Sequence, residues 1–331
     1  MPTLVLSDGT AARISGGKLK ITIPEEGTNK KEVFLPPNEV ERILCSTKAD
    51  IDIECLTSFV KLGVPTIFLS GSRGWVGSLE APCGNAPLRL LQYKTCLDPA
   101  KALSISQEIV FAKIWNQRRI LQKLGKNREG TPPEYEKLSN LLQKTMAAES
   151  TDTLRGFEGN ASASYFLAYG KFYPERCPLE KRSRRPPLDP PNSVLSYAYS
   201  ILTGEMSAKI NASGLDACLG FLHTPEAKRP SLALDLIEPF RAPVADALAI
   251  DLFSHQTLHP DKHFEKKEGG VYMNKEGKKR LFVGYETRLE REFTSQKNGE
   301  RTSLRREMDA QIQSLKNHLN NETQFEPFAL P

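Results

Sequence analysis

Short apolar runs open the chain: Leu4–Leu6, Ala12–Ile14, Leu19–Ile23 and Val33–Leu35, punctuated by Asp8-Gly9, Gly16-Gly17 and Glu26-Gly27. Strands this short at this spacing predict a small β-sandwich or barrel. The spacing from Ile51 to Leu62 predicts one helix stopped by Gly63, and Val64–Leu69 then reads as a nearly continuous apolar strand. Gly71-Ser-Arg-Gly-Trp-Val-Gly77 has the glycines of a phosphate loop. It lacks the Gly-Lys-Ser/Thr ending and a following helix, so it predicts a hairpin turn. Pro82-Cys-Gly-Asn-Ala-Pro87 predicts a hinge between two domains.

Beyond the hinge the apolar period lengthens to that of helices. Asp98-Pro99 is an N-cap followed by a first-turn proline, and Leu103, Val110, Ile114, Leu121 and Leu124 form the buried stripe of a helix that Gly125 ends. Thr131-Pro-Pro-Glu134 reads as a capping box for the next helix. A third helix opens near Thr151-Asp152 with the stripe Leu154, Phe157, Ala161, Tyr165, and a fourth follows Arg184-Arg-Pro-Pro-Leu-Asp-Pro-Pro-Asn192. Val271–Asn274 and Lys279–Val283 predict a β-hairpin, Tyr285–Phe293 and Leu304–Leu319 predict charged amphipathic helices, and Phe325–Pro331 reads as a disordered tail.

Several charged residues break this pattern. Glu158 falls inside the apolar stripe of the third helix, with Arg155 on its wet side. A carboxylate on a buried face needs a cation or several donors, and flanking Gly156 and Gly159 leave room for a ligand or another backbone. At about 100° per residue, Asp235, Glu238 and Asp246 share one narrow stripe, with Ile237, Phe240, Val244 and Leu248 opposite. Pro239 and Pro243 disturb the phase after Glu238. His223 closes an apolar Leu-Gly-Phe-Leu run. A divalent metal is the simplest partner for several carboxylates and an imidazole; solvated acids, a structural salt bridge and a core histidine are the alternatives that spacing leaves open. His255, His259 and His263 recur every four residues, but Pro260 interrupts them and no further soft ligand is near, so they do not make a zinc site.

Composition narrows the class. The chain has 331 residues, 39% hydrophobic and 26% charged, with a formal net charge of +5. That is globular, in one large or two smaller domains. The positive excess gathers at Lys171, Arg176, Lys181, Arg182, Arg184 and Arg185 beside Tyr165, Phe166, Tyr169, Phe172 and Tyr173, which suits a nucleic acid or, equally, a solvated loop on a hydrophobic strip. None of the six cysteines forms a C-x-x-C pair, and no apolar run is long enough to span a membrane, so a soluble cytoplasmic protein with reduced thiols is expected.

Four ordered segments together resemble one family: Leu154-Arg-Gly-Phe-Glu158-Gly-Asn-Ala-Ser-Ala-Ser-Tyr165, Arg184 to Asn192, Gly214-Leu-Asp through His223, and Leu232-Ala-Leu-Asp-Leu-Ile-Glu238-Pro-Phe-Arg241 through Asp246. They look like the CRISPR-associated adaptation integrases, the "Cas one" family. The resemblance implies an α+β protein, with a small N-terminal β-sandwich (1–88, scaffolding and dimerising) and a larger all-helical catalytic domain (93–331) bearing a small β-hairpin. It implies an antiviral role: a metal-dependent integrase and endonuclease that inserts short DNA duplexes at repeat borders. It also implies double-stranded DNA as substrate, a homodimer, a small ferredoxin-fold companion subunit, and Mg2+ or Mn2+ as the metal. By motif match the ligands fall on Glu158, His223 and Glu238, with Asp235 as a supporting or alternate ligand. Arg184, Arg185 and Arg241 are candidate DNA contacts, Arg241 having pairing with Asp235 or Glu238 as its alternative. A stand-alone structure-selective nuclease and a non-catalytic nucleic-acid-binding scaffold are the competing readings.

Overall fold

The computed structural model describes residues 3–24, 30–71, 74–81, 85–126, 133–295 and 299–331. The Glu26-Gly27 turn, the head of the proposed hinge and the first residues of the expected capping box lie outside them.

Among the described residues, eight strands build the N-terminal part: β1 (Thr3–Leu6), β2 (Ala11–Ser15), β3 (Lys18–Pro24), β4 (Lys30–Leu35), β5 (Arg42–Ser46), β6 (Asp50–Ile51), β7 (Thr66–Ser70) and β8 (Gly74–Leu79). They form two four-stranded sheets, ordered β1-β5-β7-β8 and β4-β3-β2-β6. In the first, β1, β5 and β7 run parallel and β8 returns antiparallel to β7. Helix α1 (Ile53–Lys61) is capped by Asp52, whose side chain accepts from the Cys55 amide. Ile43 and Cys45 face a core shared with Leu19, Ile21 and Phe59, while Leu44 between them faces the helical core. Side-chain alternation along β5 thus gives the first sheet two buried faces.

The helical part comprises α2 (Ala86–Leu97), α3 (Pro99–Gly125), α4 (Pro133–Thr145), α5 (Thr151–Gly170), α6 (Pro190–Ala212), α7 (Ser231–Phe240), α8 (Ala247–Ser254), α9 (Pro260–His263), α10 (Lys275–Glu290) and α11 (Leu304–Leu319). The expected cap of α3 is present, Asp98 accepting from the Ala100 and Lys101 amides. Sheet and helices meet where Trp75 of β8 lies on Gly204 of α6; a Cβ there would stand 2.5 Å from the indole.

Three expectations fail near the C-terminus. The hairpin pairs β9 (Phe264–Lys267) with β10 (Gly270–Met273), and Lys279–Val283 lies inside α10. Glu268 and Gly269 both adopt positive φ, as a tight hairpin turn demands. Asn274 then caps α10 by accepting from the Gly277 amide. The helix expected over 285–293 ends at Glu290, and β11 (Glu292–Thr294) pairs with β12 (Arg301–Ser303). The tail is packed: Phe328 stacks on Phe240 at 4.9 Å, and Trp115 donates to the Leu330 carbonyl at 2.9 Å.

The segment after α7 explains the lost phase. Pro239 and Pro243 have no amide to donate, and residues Arg241–Asp246 widen into a π-helical turn. The Pro239 carbonyl, which Pro243 cannot serve, accepts instead from Asn116 Nδ2 at 2.7 Å. α7 is buried all round, Asp235 and Glu238 included, so it has no solvated face.

Candidate metal centre

Glu158 on α5 and Glu238 on α7 converge on Lys113 of α3. Lys113 Nζ bonds Glu158 Oε1 and lies 2.7 Å from Glu238 Oε2. The Glu158 side chain is 26% exposed, against 8% for Lys113 and 5% for Glu238, so the cluster opens to solvent on the α5 side. Gly156 and Gly159 on the same helix are exposed, and a Cβ on either would meet no other atom within 4 Å. No backbone closes on them.

Burial alone would raise the Glu238 carboxyl's pKa. Arg241, Lys113 and His223 outweigh it and hold the pKa down to about 2. Burial would likewise neutralise Lys113, but Glu238 and Glu158 keep its pKa raised. Arg241 Nε stands 3.0 Å from Glu238 Oε1, and its guanidinium lies over the Tyr199 ring at 4.6 Å. The expected DNA contact at Arg241 is thus a counter-ion of Glu238. Arg184 and Arg185 are exposed.

His223 sits in the irregular segment between α6 and α7, held by side chains from three helices. Asp235 Oδ1 accepts from the His223 amide at 2.9 Å and lies 2.6 Å from His223 Nδ1. Its Oδ2 accepts from the Phe221 and Leu222 amides at 2.6 and 3.0 Å. Gly220 permits this approach, since a Cβ there would stand 2.5 Å from Asp235 Oδ2. From α2, Gln92 donates to the Asp216 and Leu219 carbonyls and accepts from the Asp216 amide, all within 2.9 Å. From α5, Arg155 donates to the Leu222 carbonyl at 2.6 and 2.9 Å and to Thr224 Oγ1 at 2.9 Å. Arg155, expected merely to face solvent, grips both neighbours of His223 one turn from Glu158.

Asp246 does not join the other acids. Its oxygens accept from Tyr165, at 3.0 Å, and from Tyr199, while Tyr169 donates to its carbonyl. Burial lifts its pKa to about 6 despite these donors. The aromatic strip beside the basic segment is therefore internal: Tyr165 and Tyr169 are fully buried and stacked at 5.3 Å. Among its cations, Lys171 pairs with Glu134 and Arg182 binds Asn192. Of the histidines at 255, 259 and 263, His263 Nδ1 accepts from the His259 amide and His255 Nδ1 lies 2.9 Å from the Asp251 carbonyl.

Among the described residues, no three His, Cys, Asp or Glu side chains already meet at metal-ligand range; an ammonium stands between the two glutamates instead. The donors nevertheless suit a divalent cation. Glu238 Oε2 is buried without an aligned hydrogen-bond donor, although Lys113 is close enough to neutralise it. With Nδ1 turned to Asp235, His223 keeps Nε2 for a ligand, the usual arrangement of a carboxylate-oriented imidazole. Two carboxylate oxygens and one imidazole favour Mg2+ or Mn2+ over a thiolate-seeking ion.

The model of the family described as CRISPR associated protein Cas1 matches residues 3–287. This chain belongs to that family. It is 34% identical to "CRISPR-associated endonuclease Cas1 3" of Thermus thermophilus, covering 95% of this chain and 93% of the relative. It is 33% identical to a Cas1 endonuclease of Thermodesulfovibrio yellowstonii, covering 80% and 85%. Two solved structures share the fold. A casposase bound to integration product has a TM-score of 0.89 at 23% identity, covering 100% of this chain and 94% of that one. A Cas1 protein from Thermotoga maritima has a TM-score of 0.82 at 24% identity, covering 99% and 100%. Both agree with N-terminal sheets followed by a larger helical part. No helix among the described residues is long and apolar enough to cross a membrane.

Lys113 is the site residue that sequence reasoning missed. It lies three residues after Val110 and four before Gln117, in the phase of the buried face of α3. A lysine in that register is the same signal that singled out Glu158.

Proposed function

We propose that this Cas1 protein is a metal-dependent DNA integrase and endonuclease, joining a DNA 3′-hydroxyl to a phosphodiester at a repeat border. Glu158, His223 Nε2 and Glu238 hold the divalent cation, and Asp235 orients His223. When bound, the cation polarises the phosphate and stabilises the attacking or leaving oxygen. Glu158, the partly exposed member of the cluster, lies on the side from which DNA arrives. As the new O–P bond forms, the bond to the displaced 3′-oxygen breaks, and the attacking hydroxyl's proton passes by way of solvent to that oxygen; His223 carrying this proton on Nε2 is the alternative to its role as ligand, since Nδ1 faces Asp235. Double-stranded DNA, a second copy of the chain and a small ferredoxin-fold companion are its partners. Residues 1–88 act as the scaffold and 93–331 as the catalytic part. Related assemblies support this, among them a Cas6-RT-Cas1–Cas2 complex and the casposase bound to integration product.

The observation that carries the reading is the buried oxygen of Glu238, without an aligned donor beside a second carboxylate at a solvent opening. The test is strand joining into a supercoiled repeat plasmid by Glu158→Ala, His223→Ala and Glu238→Ala. Joining lost in all three supports the proposal. Cutting without joining in the unaltered protein supports a stand-alone nuclease, and unchanged joining in all three variants contradicts the assigned site.

A further inference from the structure

Glu238 has two cationic neighbours of different mobility. Arg241 is laid on the Tyr199 ring, and Tyr199 is tied to Asp246. Lys113 ends in a compact ammonium on a flexible four-carbon stem, a form that pairs with carboxylates and phosphates alike. The charges of Glu158, Glu238, Lys113 and Arg241 cancel. A divalent cation entering there meets little uncompensated negative charge beyond Asp235, which is itself paired with His223, and must displace Lys113 from the oxygens it requires. A phosphodiester arriving through the Glu158 side brings the negative charge that Lys113 can take in exchange.

Resting on the metal site proposed above, we infer that Lys113 is an internal cation that competes with the metal for Glu158 and Glu238 and passes to a DNA phosphate when substrate binds. Lys113 acts as a positioning residue that couples metal loading to DNA binding. Neither ligand then favours the cluster strongly by itself, and each strengthens the other by the same factor.

The test is Mn2+ binding, followed by the loss of the free-ion paramagnetic resonance signal, at fixed salt. It is run with and without a short duplex carrying dideoxy 3′ ends, which binds but cannot join. In the unaltered protein the duplex is expected to tighten Mn2+ binding about 5- to 150-fold, the usual span of such couplings. Lys113→Met is expected to bind Mn2+ at least about 10-fold more tightly without DNA, with the effect of the duplex falling below about 2-fold. Lys113→Arg, which keeps the charge, retains the coupling. If Lys113→Met folds poorly without metal, its melting temperature should climb more steeply with Mn2+ than that of the unaltered protein, which carries the same information. Equal Mn2+ affinity in Lys113→Met and the unaltered protein, or no effect of the duplex on the latter, overturns the inference while leaving the metal site standing. No Mn2+ bound by the folded protein under either condition overturns both.

Discussion

Two buried glutamates, Glu205 and Glu238, look alike by every coarse measure and differ in one respect. Burial opposes ionisation of both, and neighbouring cations hold both carboxyls at about 2. Glu205 is completed: Oε1 accepts from Arg42 at 2.5 Å and from Arg305 at 2.9 Å, and Oε2 accepts from Tyr285 at 3.0 Å. Arg305 goes on to Glu286 and Glu290, so one network joins β5, α6, α10 and α11. Glu238 has comparable charge around it, yet Oε2 and the facing Arg241 Nε lack aligned hydrogen bonds. Burial and a depressed pKa therefore do not separate a structural acid from a functional one; the state of its lone pairs does. Glu205 locks the N-terminal sheet to the helices, whereas Glu238 is held by ion pairs with Lys113 and Arg241 whose hydrogen bonds are not aligned.

The largest contrast expected from this difference is between Glu238→Gln and Glu205→Gln. Glu238→Gln lowers strand joining by about a hundred- to a thousand-fold, the range for losing one contributor to transition-state charge stabilisation, and lowers the melting temperature less than Glu205→Gln. Glu205→Gln leaves the buried Arg42 without its carboxylate, while Arg305 keeps Glu286 and Glu290; it costs about 3–5 kcal/mol of stability and spares activity per folded molecule. Thermal melting beside a joining assay separates the two, and the reverse pattern would erase the distinction.

Next in size is Asp235→Asn. The amide can no longer accept from the His223 ring and the three backbone amides together. Metal affinity or activity should fall about 10- to 100-fold, the range for partners that orient metal ligands. Unchanged Mn2+ affinity would mean that His223 needs no such support.

A subtler effect is one of pH. The Glu205 carboxyl lies at about 2 in the folded chain against an ordinary 4.5. A depressed acid stabilises fully above its unfolded value, and the benefit is lost as pH falls through that window. Melting temperatures of Glu205→Gln between pH 6 and pH 2 should therefore decline less steeply below about 4.5 than those of the unaltered protein. Parallel curves would place the acid sensitivity elsewhere.

The smallest effect belongs to exposed Arg184 and Arg185. Alanine at either should weaken duplex binding slightly and reduce the salt slope by about one. An unchanged slope would remove that arginine from the DNA path.

One side of this contrast was legible in the sequence, for physical reasons; Glu205 and its arginines were not read there. A charged residue inside an apolar period is a conflict that something must resolve, and that conflict marked Glu158, Asp235 and Glu238. The resolving partner was not legible, because Lys113 is 45 residues from Glu158 in the chain and pairs with it only through the packing of α3 on α5. The amphipathic reading of α7 misled in one respect: its acids face inward, toward cations supplied by other elements. Asp246 was placed on the same stripe because a constant helical period was assumed, and the widened turn over Arg241–Asp246 breaks that period. The hairpin expected from Val271–Asn274 and Lys279–Val283 was misplaced because Lys275-Glu276-Gly277-Lys278 between them reads as a turn, whereas the structure turns at Glu268-Gly269 and uses 275–278 to open α10. The tail contains Phe325, Phe328 and Leu330, whose burial depends on a groove that sequence alone does not display.

The claim on which the account rests is that Glu158, His223 and Glu238 share one divalent cation. Crystals of the protein with the dideoxy-ended duplex, soaked in Mn2+ and measured at the manganese absorption edge, test it directly. The account predicts an anomalous peak about 2.1 Å from an oxygen of each glutamate and near His223 Nε2, with Lys113 drawn away. No peak among these residues in a protein that joins DNA in the same buffer, or a peak that leaves Lys113 between the glutamates, would contradict it.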